Sequence, residues 1–446
     1  MASWPHHAIL LAAILVTLGS ACVAAASPPA TAEPTATTAP AASTPDSPSS
    51  TSLATEPQDR IAIRVVDGRG EFYDRATGQR FVPRGNNYIR LADQQSTSGE
   101  TIYYHSTFNV GLYDPALAEE VLRRMHEDGY NIVRVFLNGS CRAGCIGDPA
   151  GGLSEAYVAN VADFLWKAKA QDIFVILTTD AEPAAPHYIG LLDTTWSEDF
   201  AGANTNVLRG GGILVGREFW QDLIEALLRQ GAPLEAIFAY ALRNELFFEA
   251  NLPPLSHASG LVSAANGETY DMASADDRQR MLEENLILWI DQIRAAILER
   301  DPTALVTVGF FVPQTPNPAR RGDPRLVITT PAIWDSQADF IDLHLYPGFE
   351  LDLNQYAENF GMQGMQEKAI LMGEFGAARS SYPAVSQAAR ALRDWQIESC
   401  DYGFDGWLLW TWDTEEQGGF FSGLTEEGQI NRELAPVHRP DPCAPG

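Results

Sequence analysis

From Ile61 onward the hydrophobic and polar positions fall into two patterns that take turns along the chain. Short runs that are apolar almost throughout, such as NIVRVF, DIFVILTT and KAILMGEF, have the length and composition of strands buried on both faces. Between them lie stretches whose apolar residues recur at helical spacing. The stretch IAIRVVDGRGEFYDRATGQRFVPRGNNY alternates, with turn signals at Asp67-Gly68 and Thr77-Gly78, and predicts a hairpin feeding a first strand in FVPRGNN. The order then predicts a helix over 115–128, strand NIVRVF, a helix over 153–171, strand DIFVILTT, a helix over 218–229, and strand AIFAYALRNE. A long helix over 276–300, strand ALVTVGFF and strands in ADFIDLHLY, KAILMGEF and DGWLLWTW follow, with helices from about Leu353 and Ser386. Eight strands alternating with helices through right-handed crossovers predict an α/β fold, a closed (β/α)8 TIM barrel.

Such a barrel needs about 250 residues, and the span 59–446 exceeds that. The excess falls in the connections 181–215, 246–273 and 311–335, each after a strand end, so extended βα loops are expected around one mouth of the barrel. No internal repeat or second core is apparent, and 59–446 reads as one domain.

The first 58 residues differ in composition. Residues 9–18 are an apolar run too short to span a membrane but suited to an export signal. Residues 1–26 are accordingly expected to be a signal peptide, cut near Ala24-Ala25-Ala26, or a lipoprotein signal whose LGSAC box would put a lipid anchor on Cys22. Residues 27–58 are Pro-, Ala-, Thr- and Ser-rich, with Leu53 the one large apolar residue, and read as a disordered linker. Four further cysteines, Cys141, Cys145, Cys400 and Cys443, form an even set consistent with an oxidising compartment. Three pairings can be drawn; Cys141–Cys145 with Cys400–Cys443 is preferred. The expected location is extracellular or at the cell surface, as a monomer.

Net charge is −28 over 446 residues, and the first 58 contribute only Glu33, Asp46 and Glu56. An acidic surface of this kind repels nucleic-acid phosphates and anionic lipid head groups, so no nucleic-acid partner is expected and a neutral substrate suits it better. No HExxH spacing occurs among the eight histidines. The RGGG run at Arg209 lacks the Lys-Ser/Thr of a phosphate loop. No metal or cofactor is therefore expected. Arg321-Gly322-Asp323 is read as a chance tripeptide.

The chemistry sits at strand ends. AIFAYALRNE stops at Glu245 and KAILMGEFG places Glu374, two carboxylates that a barrel would bring to one mouth. A glutamate ending any one strand is most simply a polar residue entering a loop. Here the remaining strand ends are polar or aromatic too: Asn86 and Asn87, Arg134, Asn138, Asp180 and Glu182, Asn244, His344 and Tyr346, Trp410 and Trp412. Paired carboxylates are what glycosidic cleavage requires, one to protonate the leaving oxygen and one to attack or to activate water. Trp166, Trp220, Trp289 and Trp395 are expected in the core, whereas Trp196, Tyr188, Phe247 and Phe248 in the long connections are candidates for sugar stacking or plain packing.

Taken in order, NIVRVF, RNE, HLY, GEFG and WTW resemble the motifs of glycoside hydrolase family 5, the cellulase and mannanase family of retaining barrel glycosidases, over residues 61 to about 413. The resemblance implies Glu245 as acid/base and Glu374 as nucleophile. It implies Asn244 on the sugar 2-hydroxyl, Arg134 holding Glu374 ionised, His344 and Tyr346 flanking the carboxylates, and Trp410 under the reacting sugar. Asn87 joins the substrate-binding set. Two departures stand out: Leu246 where many members have Pro after Asn-Glu, and TTDAEP where the third strand often ends near a His, with His187 five positions past Glu182. The implied activity is a secreted retaining β-glycosidase on a β-glucan of cellulose type, with a β-mannanase or a non-catalytic carbohydrate-binding protein on the same barrel as alternatives. Double displacement requires carboxyls roughly 5–5.5 Å apart. An inverting enzyme would use roughly 6.5–9.5 Å, with Asp180 or Glu182 as partner to Glu245.

Overall fold

The computed structural model describes residues 60–96, 99–141, 143–310, 331–348, 351–362 and 367–444. The expected export segment with Cys22, the linker 27–58, and the connection from 311 to 330 with Arg321-Gly322-Asp323 lie outside the described residues.

Eight parallel strands, each followed by a helix, wrap into one cylinder. They are β1 (Arg84–Asn87), β2 (Ile132–Leu137), β3 (Phe174–Thr179), β4 (Ile237–Ala241), β5 (Leu305–Thr307 with Gly309–Phe310), β6 (Ile341–His344), β7 (Ile370–Phe375) and β8 (Gly406–Leu409). Val308 interrupts β5: the piece before it pairs with β4 and the piece after it with β6, which closes the ladder running β4-β3-β2-β1-β8-β7-β6. The helices that cover the strands are α1 (Pro115–Glu127), α2 (Glu155–Ala170), α3 (Gly210–Arg229), α4 (Ala275–Leu298), α5 (Pro331–Asp335), α6 (Leu353–Asn359), α7 (Val385–Glu398) and α8 (Thr425–Leu434); two shorter ones, Pro186–Asp193 and Asn204–Leu208, precede α3. Local signals set several starts: Asp114 caps α1 ahead of a first-turn proline, and Ser274 caps α4 by accepting from the Asp277 amide.

Two helices depart from expectation. α3 starts at Gly210, earlier than 218, so the RGGG run is its first turn. Glycine costs a helix about 1 kcal/mol relative to alanine, but a Cβ on Gly212 would fall 2.1 Å from the Asn206 carbonyl oxygen, so close backbone approach selects it. α8 is polar and holds Gly428 amid residues of positive φ, which is why its pattern carries no helical signal.

The interior of the cylinder is apolar at the end where the strands begin. Ile132, Ile176, Phe238, Leu305, Phe340, Leu371 and Leu408 form one buried cluster with Ile61 and Phe72 of the preceding hairpin, Ile61–Val66 paired with Arg69–Asp74. Phe72 sits 5.3 Å from both Phe238 and Phe340, ring centre to ring centre, and plugs that mouth. The polar groups are left to the opposite mouth. A second cluster packs the outer strand faces under the helices, taking in Trp220, Trp289 and Trp395 as expected. Trp166 is a correction: it is 50% exposed, its Nε1 donating to the Gly231 carbonyl at 3.1 Å with Lys169 above its ring. α2 buries Tyr157, Val161, Phe164, Leu165 and Ala168 instead, and Trp166 falls outside that stripe.

Cys141 pairs with Cys145 and Cys400 with Cys443, the preferred pairing. The second bridge joins the C-terminal tail to the turn after α7. Among the described residues no helix is long and apolar enough to cross a membrane.

Arg60 locks the hairpin onto the barrel. Its guanidinium pairs with buried Asp301 and donates to Thr303 Oγ1 at 3.1 Å and the Leu234 carbonyl at 2.7 Å, while the Tyr240 hydroxyl also donates to Asp301, at 2.9 Å. Removing one partner of a buried ion pair strands the other charge, at a cost of about 3–5 kcal/mol. Arg60→Ala is expected to lower unfolding stability by that order in denaturant titration. A loss below about 1 kcal/mol would mean the pair is not the anchor.

Candidate active site

Glu374 and Glu245 reach the open mouth by different routes. Glu374 lies within β7, one residue before its end. β4 loses strand geometry at Ala241, earlier than the expected end at Glu245, although Leu242 still donates to the Thr307 carbonyl and Asn244 to that of Thr179, both at 2.8 Å. Glu245 then takes φ +34°, a left-handed bend unusual for a side chain of its size.

The two carboxylates converge. One oxygen of Glu245, one of Glu374 and a ring nitrogen of His344 all lie within 4.8 Å of one another. His344 Nδ1 is 3.2 Å from Glu245 Oε1 and 3.5 Å from Glu374 Oε1. Glu374 accepts from Arg134 Nη1 at 2.6 Å on Oε1 and from the Tyr346 hydroxyl at 2.6 Å on Oε2. The other arm of Arg134 donates to Asn244 Oδ1 at 2.6 Å, and Nη1 also donates to Asn87 Oδ1 at 3.0 Å. Asn87 in turn donates to the Gly373 carbonyl at 2.9 Å. Asn87, Arg134 and His344 are fully buried, so they present no surface at the mouth and touch its exposed part only through the carboxylates and Asn244. Trp410 walls the site, its indole N–H donating to Gln417 at 2.7 Å and its ring edge-on to Phe136. Trp412 instead packs into the core against Tyr130.

Electrostatics follow from burial. Burial pushes the Glu374 carboxyl above its ordinary range; His344, Arg134 and the Tyr346 hydrogen bond pull it back, while Glu245 adds to the rise. Arg134 therefore offsets the desolvation of Glu374 without reversing it, where the sequence leads one to expect a net lowering. Burial alone would lower His344, but the Glu374 charge and the Glu245 hydrogen bond outweigh it and the imidazole is raised. Burial and the Glu374 charge hold the Tyr346 hydroxyl far above the usual tyrosine range, so it remains a donor.

One part of the mouth carries no signal among the strand-end motifs. The β1–α1 connection folds as a hairpin, Leu91–Gln95 with Thr101–His105, and brings Tyr104 and His105 beside Asp180. Tyr104 donates its hydroxyl to Asp180 Oδ2, and His105 Nε2 lies 3.6 Å from the same oxygen. His105 stacks on Phe136 with ring centres 4.2 Å apart, and burial lowers its pKa, keeping it neutral. Asn138 holds this hairpin through Gln94 Oε1 at 2.8 Å and the His105 carbonyl at 2.6 Å. Neither LADQQ nor TIYYH alternates apolar with polar residues, so no local pattern announces it. His187, by contrast, is exposed beside Glu218, and Glu182 pairs with Arg243 at 3.4 Å. Tyr188 and Phe248 are buried packing residues, whereas Trp196 is 71% exposed.

These features define a class: a (β/α)8 barrel with two carboxylates meeting over an imidazole at the mouth formed by the strand ends. No protein-family model and no curated protein sequence matches the chain. Its fold, however, recurs among solved structures. The endo-1,4-β-mannanase of Rhizomucor miehei is similar at 16% identity and a TM-score of 0.53, covering 85% of this chain and 100% of that one. The endo-β-1,4-mannanase of Thermotoga petrophila is similar at 17% identity and a TM-score of 0.52, covering 81% of this chain and 77% of that one. The exo-β-1,4-mannosidase of an Opitutaceae bacterium, strain TAV5, gives 18% and 0.50, covering 84% of this chain and 59% of that longer one. At the level of the fold, the chain has the (β/α)8 barrel of these solved β-mannanase structures.

Proposed function

We propose that the protein is a retaining β-glycosidase, with Glu374 as nucleophile and Glu245 as acid/base. The observation that carries this is the approach of the two carboxylates to within 4.8 Å, oxygen to oxygen, with His344 between them. Two carboxyls that close leave no room for a water between an inverting base and the sugar, and suit direct attack on the anomeric carbon. Glu245 gives its proton to the leaving oxygen as Glu374 forms the covalent glycosyl ester; Glu245 then takes a proton from the water that opens that ester. Asn244, aimed by Arg134, is placed to bind the hydroxyl beside the reacting carbon. Trp410 offers an aromatic face to a pyranose.

For the substrate we favour β-1,4-linked mannan over β-glucan, a reading supported by solved structures of similar fold that are two β-1,4-mannanases and a β-1,4-mannosidase. We also read the protein as exported, on the strength of the apolar segment 9–18 and two disulfides.

Linear mannan, glucomannan, barley β-glucan, carboxymethylcellulose and xylan are the substrates to compare by reducing-end release, with proton NMR of the first anomer formed. The expected result is release fastest from a mannan, with the β-anomer appearing first. The α-anomer first would replace Glu374 by Asp180 or Glu182 and discard the retaining assignment. No release from any of the five would favour a carbohydrate-binding protein.

A further inference from the structure

Beneath the paired glutamates lies a third carboxyl group that the chemistry above does not use. Asp342 is on β6, two residues before His344, and is fully buried. Neither of its oxygens has a hydrogen-bond partner among the described residues. The nearest ionic neighbour is His344 Nε2, 3.8 Å from Oδ1, too long for a hydrogen bond but short for a charge contact in a dry interior. The room for this carboxyl comes from the residue before the nucleophile: a Cβ on Gly373 would fall 1.9 Å from Asp342 Oδ1. A buried, unsatisfied carboxyl costs several kcal/mol unless a charge compensates it. One that also dictates glycine next to Glu374 calls for a cause.

We infer that Asp342 is a positioning residue for the acid–base pair: its carboxylate, set behind His344, keeps that imidazole doubly protonated, so that Nδ1–H is always turned to Glu245 and Glu374. This rests on the retaining assignment proposed above and adds a residue to it. The charged groups facing His344 are Glu374 from β7, Glu245 from the bend after β4, Arg134 from β2 and Asp342 from its own strand. β5 on its other side brings Gly309 and Phe310, which carry no charge. Glu374 favours a proton on the imidazole most, then Glu245, with Asp342 adding a smaller push in the same direction, while Arg134 opposes it. Among the described residues, Asp342 is the charged group that approaches the imidazole at Nε2, on the buried side away from Glu245 and Glu374. When Glu245 has given up its proton in the covalent intermediate, a cationic His344 stabilises it until the incoming water returns one.

Asp342→Asn keeps the shape and removes the charge. Losing a negative charge weakens proton binding at every site of the cluster. Both limbs of the pH profile of kcat/KM are therefore expected to move to lower pH: the acid limb, set by Glu374, and the alkaline limb, set by the Glu245–His344 pair. Shifts of roughly 0.5–1 pH unit are expected. A purely structural role would lower kcat and leave both limbs in place, which would overturn the inference. Nitrogen NMR of histidine-labelled protein gives a readout independent of turnover, with the His344 signals identified by their loss in His344→Gln. In the wild-type protein His344 is expected to carry both protons at pH 6, and its midpoint to fall in Asp342→Asn. A neutral His344 at pH 6 in the wild type would overturn the inference even if the variant failed to fold. Absence of glycosidase activity in the wild type would remove the proposed function instead, and leave the NMR result to be judged alone.

Discussion

Glu374→Gln is expected to lower kcat on polysaccharide by a factor on the order of 10⁴ to 10⁶, the loss seen when a catalytic nucleophile is removed, while oligosaccharide affinity changes by no more than a few-fold. The substitution preserves the surroundings. Its carbonyl oxygen can still accept from Arg134 Nη1, now at 2.6 Å, and its amide can donate to the Tyr346 oxygen, now also at 2.6 Å. What disappears is an anion able to bond to the anomeric carbon. A defect in kcat without one in binding is the signature of an interaction made only in the transition state. Steady-state rates alongside calorimetric titration with a manno-oligosaccharide measure both. Retention of more than about 1% of wild-type kcat would exceed anything a missing nucleophile allows and would end the assignment.

The second large effect depends on the leaving group. Glu245→Gln should cost about 10²–10⁴ in rate on natural polysaccharide, the usual scale of general acid–base catalysis. On an aryl glycoside whose phenolate departs without a proton, formation of the glycosyl ester should be nearly spared and its hydrolysis should stall. A burst of phenolate followed by slow turnover is then expected. Azide, which attacks without help from a base, should restore turnover and yield the β-glycosyl azide. Glu245 is only partly buried, its side chain 21% exposed, so a small anion can reach the glycosyl ester beside it. Equal losses on activated and natural substrates, with no azide product, would show that Glu245 is not the acid/base.

The barrel was legible in the sequence because a strand buried on both faces leaves a nearly unbroken apolar run, and β2, β3 and β7 lie where those runs are. The glutamates were legible for the same reason, since a charged residue at the end of such a run has only the mouth to occupy. The support of Glu374 by Arg134 and Tyr346 was suggested by motif order, but its geometry needed three strands far apart in sequence to meet. What was missed follows different physics. Tyr104 and His105 arrive on a hairpin whose course depends on Asn138 and Gln94, partners that no local pattern connects. The early start of α3 is set by backbone approach, which overrides glycine's poor propensity. Trp166 was assigned to the wrong face because α2 offers a broad apolar surface, and spacing alone did not fix its edge.

The unequal seating of the two glutamates has a consequence for how the proposed chemistry could change. Glu374 lies inside a strand whose register shifts beside it on both neighbours, and it is held there by Arg134 and Tyr346, whereas Glu245 rides on a left-handed bend that opens into the stretch before Ser274. Sequence drift in that stretch would swing Glu245, the proposed proton donor, and leave Glu374, the proposed nucleophile, where it is. On that reading, new leaving groups should be reached by altering the segment after Glu245, while preference for the sugar that becomes attached stays with the strands around Glu374.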